Sequence, residues 1–230
     1  MVERVVEPEF RGARQRLVEE LRSKGIRDLA VLRAVEKTPR HQFVPTGIRH
    51  RAYDDAPLPI GNGQTISQPL IHAQYLELLA LKGTERVLEI GTGTGYQTAL
   101  LSHLVDQVFS IERIAALYEQ ARVILAQLGL RNVSLLVGDG TIGWRAHSPF
   151  DAILVSAGSP SVPQPLLDQL ADGGRLLVPV GDRAIQQLMV YTRRGDRIDK
   201  RDVAPVRFVP LIGTHGWEGE GTGDGDGKTV

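Results

Sequence analysis

The chain of 230 residues has no cysteine, only 5% aromatic residues and no formal net charge, because 27 Lys and Arg balance 27 Asp and Glu. The absence of cysteine excludes disulfide frameworks, thiolate nucleophiles and cysteine-ligated metals, and it makes the cytosol the expected compartment. A chain without net charge has no overall attraction for nucleic acid or anionic lipid. We therefore expect a cytoplasmic protein without a nucleic-acid partner.

Long apolar runs are also absent. No stretch approaches the roughly 20 apolar residues of a membrane span, and charged residues are spread through the N-terminal sequence MVERVVEPEFRGARQR in place of an apolar signal region. The histidines lack metal-ligand spacing, so we expect no metal and assign all six to surface or structural positions: His41, His50, His72, His103, His147 and His215. The sequence predicts neither secretion nor membrane association.

Short apolar runs alternate with helical patterns over most of the chain. Strands are predicted at 86–90, 107–111, 133–137, 151–155 and 175–180, with helices at 96–104, 115–128 and 165–170 between them. Such alternation is typical of βαβ units and a parallel sheet covered on both faces. Two later runs, at 185–191 and 203–211, have no room for a crossover helix and predict an antiparallel pair. The expected fold is a doubly wound, Rossmann-like α/β sheet with an N-terminal helical cap.

The predicted domain organisation is one domain over residues 1–217. Residues 1–82 would supply two helices within 12–38 and an irregular segment rich in Pro and Gly at 39–69, and residues 83–217 would form the cofactor-binding core. An irregular segment of this length inside a compact domain is usually functional or disordered, and its embedded apolar residues argue against disorder. The Gly- and acid-rich residues 218–230 are predicted to form a disordered tail.

The most informative motif is VLEIGTGTGYQTA, in which Gly91, Gly93 and Gly95 lie between a predicted strand and a predicted helix. Glycine permits positive φ and lets the backbone approach a ligand closely, although a tight structural turn would have the same pattern. The dinucleotide pattern G-x-G-x-x-G would need glycine in place of Tyr96, and the carboxylate of Glu89 would repel a pyrophosphate. A cationic nucleoside fits better, and S-adenosylmethionine has both a sulfonium and an ammonium group.

Two further acids follow predicted strands. Glu112 ends the next strand, 21 residues after Gly91, close to the spacing at which an acid meets ribose hydroxyls in nucleoside-binding folds; the alternative is a surface acid that begins a helix. Asp139, in Gly-Asp-Gly after the third strand, could accept a hydrogen bond from an adenine amino group, or could simply shape a turn. Both acids are expected at the carboxyl edge of the sheet.

The chain resembles the protein-L-isoaspartate O-methyltransferases over roughly residues 11–215. The glycine loop alone is shared by many S-adenosylmethionine enzymes, whereas PLPIG followed by GQTISQP is specific to this family. The motifs that support the resemblance are PRHQFVP, AYDDAPLPIGNGQTISQP, VLEIGTGTGYQTA, GDG, FDAILVSAG, GGRLLVPVG and VRFVPLIG. Gly158 and Ser159 depart from the Ala and Pro that are frequent in the family, and the acidic tail is not part of its pattern.

The resemblance implies a repair enzyme, and we expect this enzyme to be a monomer. Its substrates would be proteins and peptides containing L-isoaspartyl residues, whose α-carboxyl is methylated by S-adenosylmethionine with S-adenosylhomocysteine as product. The ester would then close to a succinimide, and hydrolysis would return some normal aspartate. The alternatives are a methyltransferase for another acceptor and a non-catalytic cofactor-binding paralogue. The first would predict a basic patch and the second would predict eroded motifs, and the sequence has neither.

The resemblance also implies site residues. Ser67 would be the active-site position and Thr65 its catalytic neighbour, although Ser67 also suits the N-cap of the following helix. The residues expected to bind the cofactor are Ile66, Glu89, Gly91, Thr92, Gly93, Glu112, Asp139 and Gly140. In the strand VRFVPL, Val206, Phe208 and Val209 would bind the peptide substrate, whose backbone could be held without its side chains being recognised.

Overall fold

The computed structural model describes residues 8–219 of the chain. Its helices are α1 (Pro8–Ser23), α2 (Leu29–Lys37), α3 (Pro69–Leu79), α4 (Tyr96–Ser102), α5 (Ala115–Gln127) and α6 (Gln164–Asp168). Its strands are β1 (Leu58–Gly61), β2 (Gln64–Ile66), β3 (Arg86–Ile90), β4 (Gln107–Glu112), β5 (Val133–Val137), β6 (Phe150–Val155), β7 (Leu170–Gly181), β8 (Gln186–Arg194) and β9 (Arg197–Val206). The predicted α/β class is confirmed. Residues 220–230 of the predicted tail lie outside the described residues.

Strands β3 to β9 form one sheet in the order β5-β4-β3-β6-β7-β8-β9. The first five strands in this order are parallel, and β8 and β9 add an antiparallel pair beside β7. In this sheet β4 lies on one side of β3, whereas β6 lies on the other side of β3 and β7 lies beyond β6. This reversal leaves a crevice at the carboxyl ends of β3 and β6, where ligands of open α/β sheets bind.

Alternate residues of the central strands point to opposite faces of the sheet, and each face has an apolar core. Val87 and Leu154 belong to one core, and Leu88 belongs to the other. Leu17 of α1 and Val35 of α2 lie in the same core as Val87, and these N-terminal helices pack on α3 and α4. Within residues 8–219, no helix has both the length and the apolar composition that a bilayer crossing requires.

The irregular segment before α3 contains an element that was not predicted. Strands β1 and β2 form an antiparallel hairpin whose turn, Gly61, Asn62 and Gly63, has positive φ at all three residues. Two 3-10 turns, Arg40–Phe43 and Thr46–Arg51, precede it. Asn-Gly is a strong hairpin signal, so the sequence contained the information needed to predict this hairpin.

The predicted strand at 203–211 was wrong at both ends, because β9 begins at Arg197 and ends at Val206. The chain then leaves β8 and lies against the loop that follows β6. The Gly158 amide donates to the Val209 carbonyl (2.8 Å), and the Leu211 amide donates to the Gly158 carbonyl (2.8 Å). The apolar sequence that suggested a sheet strand covers the carboxyl end of the sheet instead.

Candidate functional site

A cleft opens at the carboxyl ends of β3 and β6, where the topology leaves its crevice. The hairpin and the start of α3 form one wall, the glycine loop and the end of β4 form the floor, and the C-terminal segment forms the opposite wall. The predicted residues that line the cleft are Thr65, Ile66, Ser67, Gly91, Thr92, Gly93, Glu112, Gly140 and Val209. Most of the predicted site is therefore brought together in one place.

The glycine loop adopts the backbone that its glycines allow. Gly91 (φ 94°) and Gly93 (φ 56°) have left-handed conformations, which residues with a side chain rarely adopt. The Gly91 amide donates to the Ile111 carbonyl (2.9 Å), and the Thr92 hydroxyl bonds to the Ser110 hydroxyl (2.6 Å). These bonds fix the loop to β4, so its shape exists before any ligand arrives.

Glu112 is 6% exposed and lies on the floor of the cleft. Its carboxylate accepts the Gly93 amide (2.8 Å) with one oxygen and the Ile114 amide (2.9 Å) with the other. A carboxylate oxygen can accept more than one hydrogen bond, so Glu112 can hold the loop and still accept a ligand hydroxyl.

Glu89 is fully buried and is not among the residues that line the cleft. One oxygen accepts the hydroxyls of Thr98 (2.5 Å) and Ser110 (2.6 Å), while Oε1 has no hydrogen-bond partner among the described residues. Burial raises the pKa of Glu89 to about 7, although the two hydroxyls act in the opposite direction. The structure thus places this acid next to the glycine loop and behind the cleft surface.

Asp139 also lies behind the surface, and only its neighbour Gly140 lines the cleft. The Asp139 carboxylate accepts the Thr141 amide (2.8 Å) and hydroxyl (2.6 Å) through one oxygen and the Thr214 amide (2.7 Å) through the other. Partial burial acts to raise the pKa of Asp139, but these hydrogen bonds outweigh it and the pKa is lowered. Of the two interpretations of Asp139, an adenine contact or a turn-shaping residue, the second agrees with the contacts of this side chain.

Ser67 lies between β2 and α3 and faces the cleft, with Thr65 exposed beside it. The N-cap of α3 is Gln68, not Ser67, and Gln68 makes no capping bond with its side chain. Asp55 takes over this function from a distance, because its carboxylate accepts the Leu70 amide (2.9 Å) and the Gln68 side chain (3.0 Å). The Ser67 side chain is therefore not needed as a helix cap.

The three predicted substrate residues are separated in the structure. Val209 lines the cleft together with residues 210–212, whereas Val206 ends β9. The Phe208 ring stacks on Tyr75, with 5.6 Å between centroids, and is not part of the cleft lining. The prediction that one strand carries all three residues is wrong, because β9 ends at Val206.

The prediction missed His72, which is buried on α3 and lines the cleft. Its Nδ1 contacts the side-chain oxygen of Gln97, and its Nε2 has no hydrogen-bond partner among the described residues. Burial, helped by the nearby Arg40 guanidinium, lowers the pKa of His72 to about 3. The imidazole is therefore neutral at physiological pH. Its place three residues after Pro69, on the buried face of α3, was the signal that could have identified it.

No cluster of three or more His, Asp or Glu side chains suited to a metal occurs among the described residues. Buried polar atoms without partners surround the cleft instead: Thr94 Oγ1, Gln97 Nε2, His72 Nε2 and, behind the loop, Glu89 Oε1. Buried polar groups normally have hydrogen-bond partners. Their concentration at one place indicates a site for a polar ligand.

Residues 12–216 match the family model described as protein-L-isoaspartate(D-aspartate) O-methyltransferase. The protein-L-isoaspartate O-methyltransferase of Syntrophus aciditrophicus (strain SB) is 54% identical over 214 residues, which are 91% of this chain and 98% of the relative. A solved protein-L-isoaspartate O-methyltransferase superposes with a TM-score of 0.80 at 30% identity, covering 88% of this chain and 67% of the other. A Plasmodium falciparum structure described as a member of that family, in complex with S-adenosyl-L-homocysteine, has a TM-score of 0.78 at 26% identity and covers 86% and 98% of the two chains.

Proposed function

The chain belongs to the protein-L-isoaspartate(D-aspartate) O-methyltransferase family, and from this membership we propose which residues serve the reaction. The protein is an S-adenosylmethionine-dependent enzyme that methylates L-isoaspartyl residues of proteins and peptides. We assign the acceptor side of the cleft to Ser67 and Thr65 and the cofactor side to the glycine loop and Glu112. The observation that supports this most directly is that residues 64–67 and the glycine loop line one cleft.

The residues present fit the cofactor. S-adenosylmethionine supplies an electrophilic methyl group on a sulfonium sulfur. The Oε1 of Glu89, which has no partner among the described residues, offers a polar atom next to the glycine loop, and the neutral imidazole of His72 adds no opposing positive charge. The Glu112 carboxylate would hold the ribose, Gly91, Thr92 and Gly93 the methionine part, and Gly140 the edge of the adenine site.

Asp139 and Ile66 keep an indirect part in this proposal. The Asp139 carboxylate is occupied by Thr141 and Thr214, so it would shape the adenine site through the turn at Gly140. Ile66 is buried in β2 and lines the cleft, and it would contribute backbone groups and apolar surface.

The chemistry requires no general base. The α-carboxyl of an isoaspartyl residue is already ionised at neutral pH, so the nucleophile is present as the carboxylate. The task of the enzyme is orientation, which can lower a barrier by up to about 7–11 kcal/mol. We propose that the Ser67 hydroxyl donates a hydrogen bond to one carboxylate oxygen and directs the other toward the methyl group. Val209 and the segment after it would hold the backbone of the substrate.

The direct test is transfer of labelled methyl groups from S-adenosylmethionine to two peptides that differ only in an isoaspartyl or a normal aspartyl linkage. We expect base-labile labelling of the isoaspartyl peptide alone. Ser67→Ala should lower kcat about 10–100-fold, the value of a hydrogen bond to a charged group. Ser23→Ala, at an exposed serine whose hydroxyl bonds only within α1, is the matched control and should leave kcat unchanged. An unchanged kcat in Ser67→Ala would contradict the assignment, and labelling of neither peptide would contradict the activity.

We further propose that the enzyme acts as a monomer in the cytoplasm, on proteins and not on nucleic acids. The balanced charge supports the lack of a nucleic-acid partner, and the lack of cysteine supports the cytoplasm. Light scattering coupled to size exclusion should give the mass of one chain, 25.2 kDa. A mass of two chains at micromolar concentration would refute the monomer.

A further inference from the structure

Arg40 has the largest of the fully buried side chains, with 0% exposure, and it lies in the 3-10 turn that opens the segment before α3. Its Nε donates to the Ala52 carbonyl (2.8 Å) and its Nη2 to the Ser67 carbonyl (2.8 Å). Within residues 8–219, its Nη1 has no hydrogen-bond partner, and no carboxylate side chain there forms an ion pair with it. Burying a guanidinium without a paired carboxylate is costly, and an apolar side chain would fill the same space at less cost.

The contacts of Arg40 join the two halves of the cleft. On the acceptor side it holds the carbonyl of Ser67. On the cofactor side its Cζ lies 4.7 Å from the ring centroid of Tyr96, the first residue of α4 after the glycine loop. The His72 ring packs edge-on against the same Tyr96 ring, with 5.1 Å between centroids. One rigid planar group therefore touches both the loop that presents Ser67 and the helix that follows the glycine loop.

The position of the Ser67 hydroxyl depends on its backbone, whose carbonyl accepts a hydrogen bond from Arg40. Ser67 belongs to neither β2 nor α3, and the helix cap is made from Asp55 to later residues. We infer that Arg40 is a positioning residue that sets the distance and direction of the Ser67 hydroxyl relative to the methyl donor by fixing the Ser67 carbonyl against Tyr96. An error of about 1 Å in such a distance can reduce a rate 100-fold. The inference rests on the proposed function, because it assumes that Ser67 serves the acceptor.

The test compares Arg40→Met, which keeps the apolar bulk, with Arg40→Lys, which keeps the charge and one donor but not the planar fork. Arg175→Met is the matched control, because the Nη1 of Arg175 also donates to a backbone carbonyl, that of Leu79 (2.7 Å), away from the cleft. For each variant, kcat and KM are measured for the isoaspartyl peptide, together with the Tm and a calorimetric titration with S-adenosylhomocysteine. The stoichiometry of that titration counts the folded sites, and its dissociation constant reports on the cofactor side. The double variant, Arg40→Met with Ser67→Ala, completes a double-mutant cycle.

We expect Arg40→Met to lower kcat per folded site about 10–100-fold, with KM and the dissociation constant within about threefold of the parent. Arg40→Lys should show a smaller decrease in kcat per folded site, because an ammonium can still donate to the Ser67 carbonyl. The double variant should be no more than about threefold slower than the slower single variant, since Arg40 acts on the rate through the Ser67 hydroxyl and has nothing to position once that hydroxyl is removed. Arg175→Met should lower Tm without changing kcat per folded site.

Two outcomes would overturn the inference. One is a parent-like kcat per folded site in either Arg40 variant, and the other is a double variant whose loss is the product of the single losses. If Arg40→Met does not fold, the test rests on Arg40→Lys alone. Its kcat per folded site and its double-mutant cycle with Ser67→Ala then decide whether the inference stands. A normal Ser67→Ala variant would count against the proposed function itself, whereas a slow Ser67→Ala beside a normal Arg40→Lys would count against the role of Arg40 only.

Discussion

Replacing Glu89 by Gln should make the protein's stability less dependent on pH, because Glu89 is a fully buried acid with one unpartnered oxygen. Burial raises the pKa of Glu89 from 4.5 to about 7 in the folded protein. Between these values the folded protein holds a proton that the unfolded chain has released. The folded state therefore binds more protons, and the free energy of unfolding falls as the pH rises through this window.

The magnitude follows from the two pKa values. The interval from 4.5 to about 7, at about 1.36 kcal/mol per pH unit, corresponds to about 3 kcal/mol. This penalty is absent below pH 4.5, where both states are protonated, and complete above pH 7, where both are ionised. Glu89→Gln removes the ionisable group and keeps an oxygen that can accept the Thr98 and Ser110 hydroxyls. The variant should therefore gain about 3 kcal/mol relative to the parent between pH 4.5 and pH 7.5.

Urea unfolding of both proteins at half-unit pH steps, without cofactor, measures this difference. All other ionisable groups, His72 included, are the same in both proteins, so the comparison isolates Glu89 together with its interaction with Glu112. Glu119→Gln, at an exposed glutamate of α5, reports the effect of losing one surface charge. A difference between parent and Glu89→Gln that stays within about 1 kcal/mol over the whole range would refute the claim that burial opposes ionisation of this acid.

Three other changes test the cleft and the C-terminus. Trp217→Ala should weaken S-adenosylhomocysteine binding about 5–10-fold by calorimetry, because the Trp217 indole donates to the Gly158 carbonyl (3.0 Å) and fastens the C-terminal segment that walls the cleft. Unchanged affinity would show that the segment needs no such bond. Gly140→Ala should cost about 1–3 kcal/mol of stability in urea, because a Cβ there would overlap the buried Ile90 side chain. Gly138→Ala, whose Cβ would meet nothing within 4 Å, should cost little, so equal losses would contradict the argument. Truncation after Trp217 should leave methyl transfer and Tm unchanged, and a large loss of either would disprove that the tail is dispensable.

The fold and the glycine loop could be predicted because their signals are local. The predicted limits of β3 and β5 coincide with the observed ones, since a strand is defined by a short apolar run between turn residues. Gly91 and Gly93 have the positive φ that the spacing of the loop suggested. The same local information was present for the hairpin at Asn62, where Asn-Gly was overlooked.

The side-chain partners at the site could not be predicted in this way, because they come from distant parts of the chain. Asp139 faces Thr214 rather than the open cleft, since the C-terminal segment turns back over it. Phe208 and Val206 lie away from the cleft because β9 ends early, and no periodicity marks that end.

Local patterns in the amino-acid sequence were sufficient for the class, the order of the strands and helices along the chain, and the loop beside which the cofactor is expected. They were sufficient because the apolar period and the freedom of glycine act over a few neighbouring residues. Only the tertiary structure showed that Asp55 caps α3, that His72 lines the cleft and that Arg40 spans from Ser67 to Tyr96. Those contacts depend on how helices and loops far apart in sequence are oriented toward each other when their apolar faces pack together.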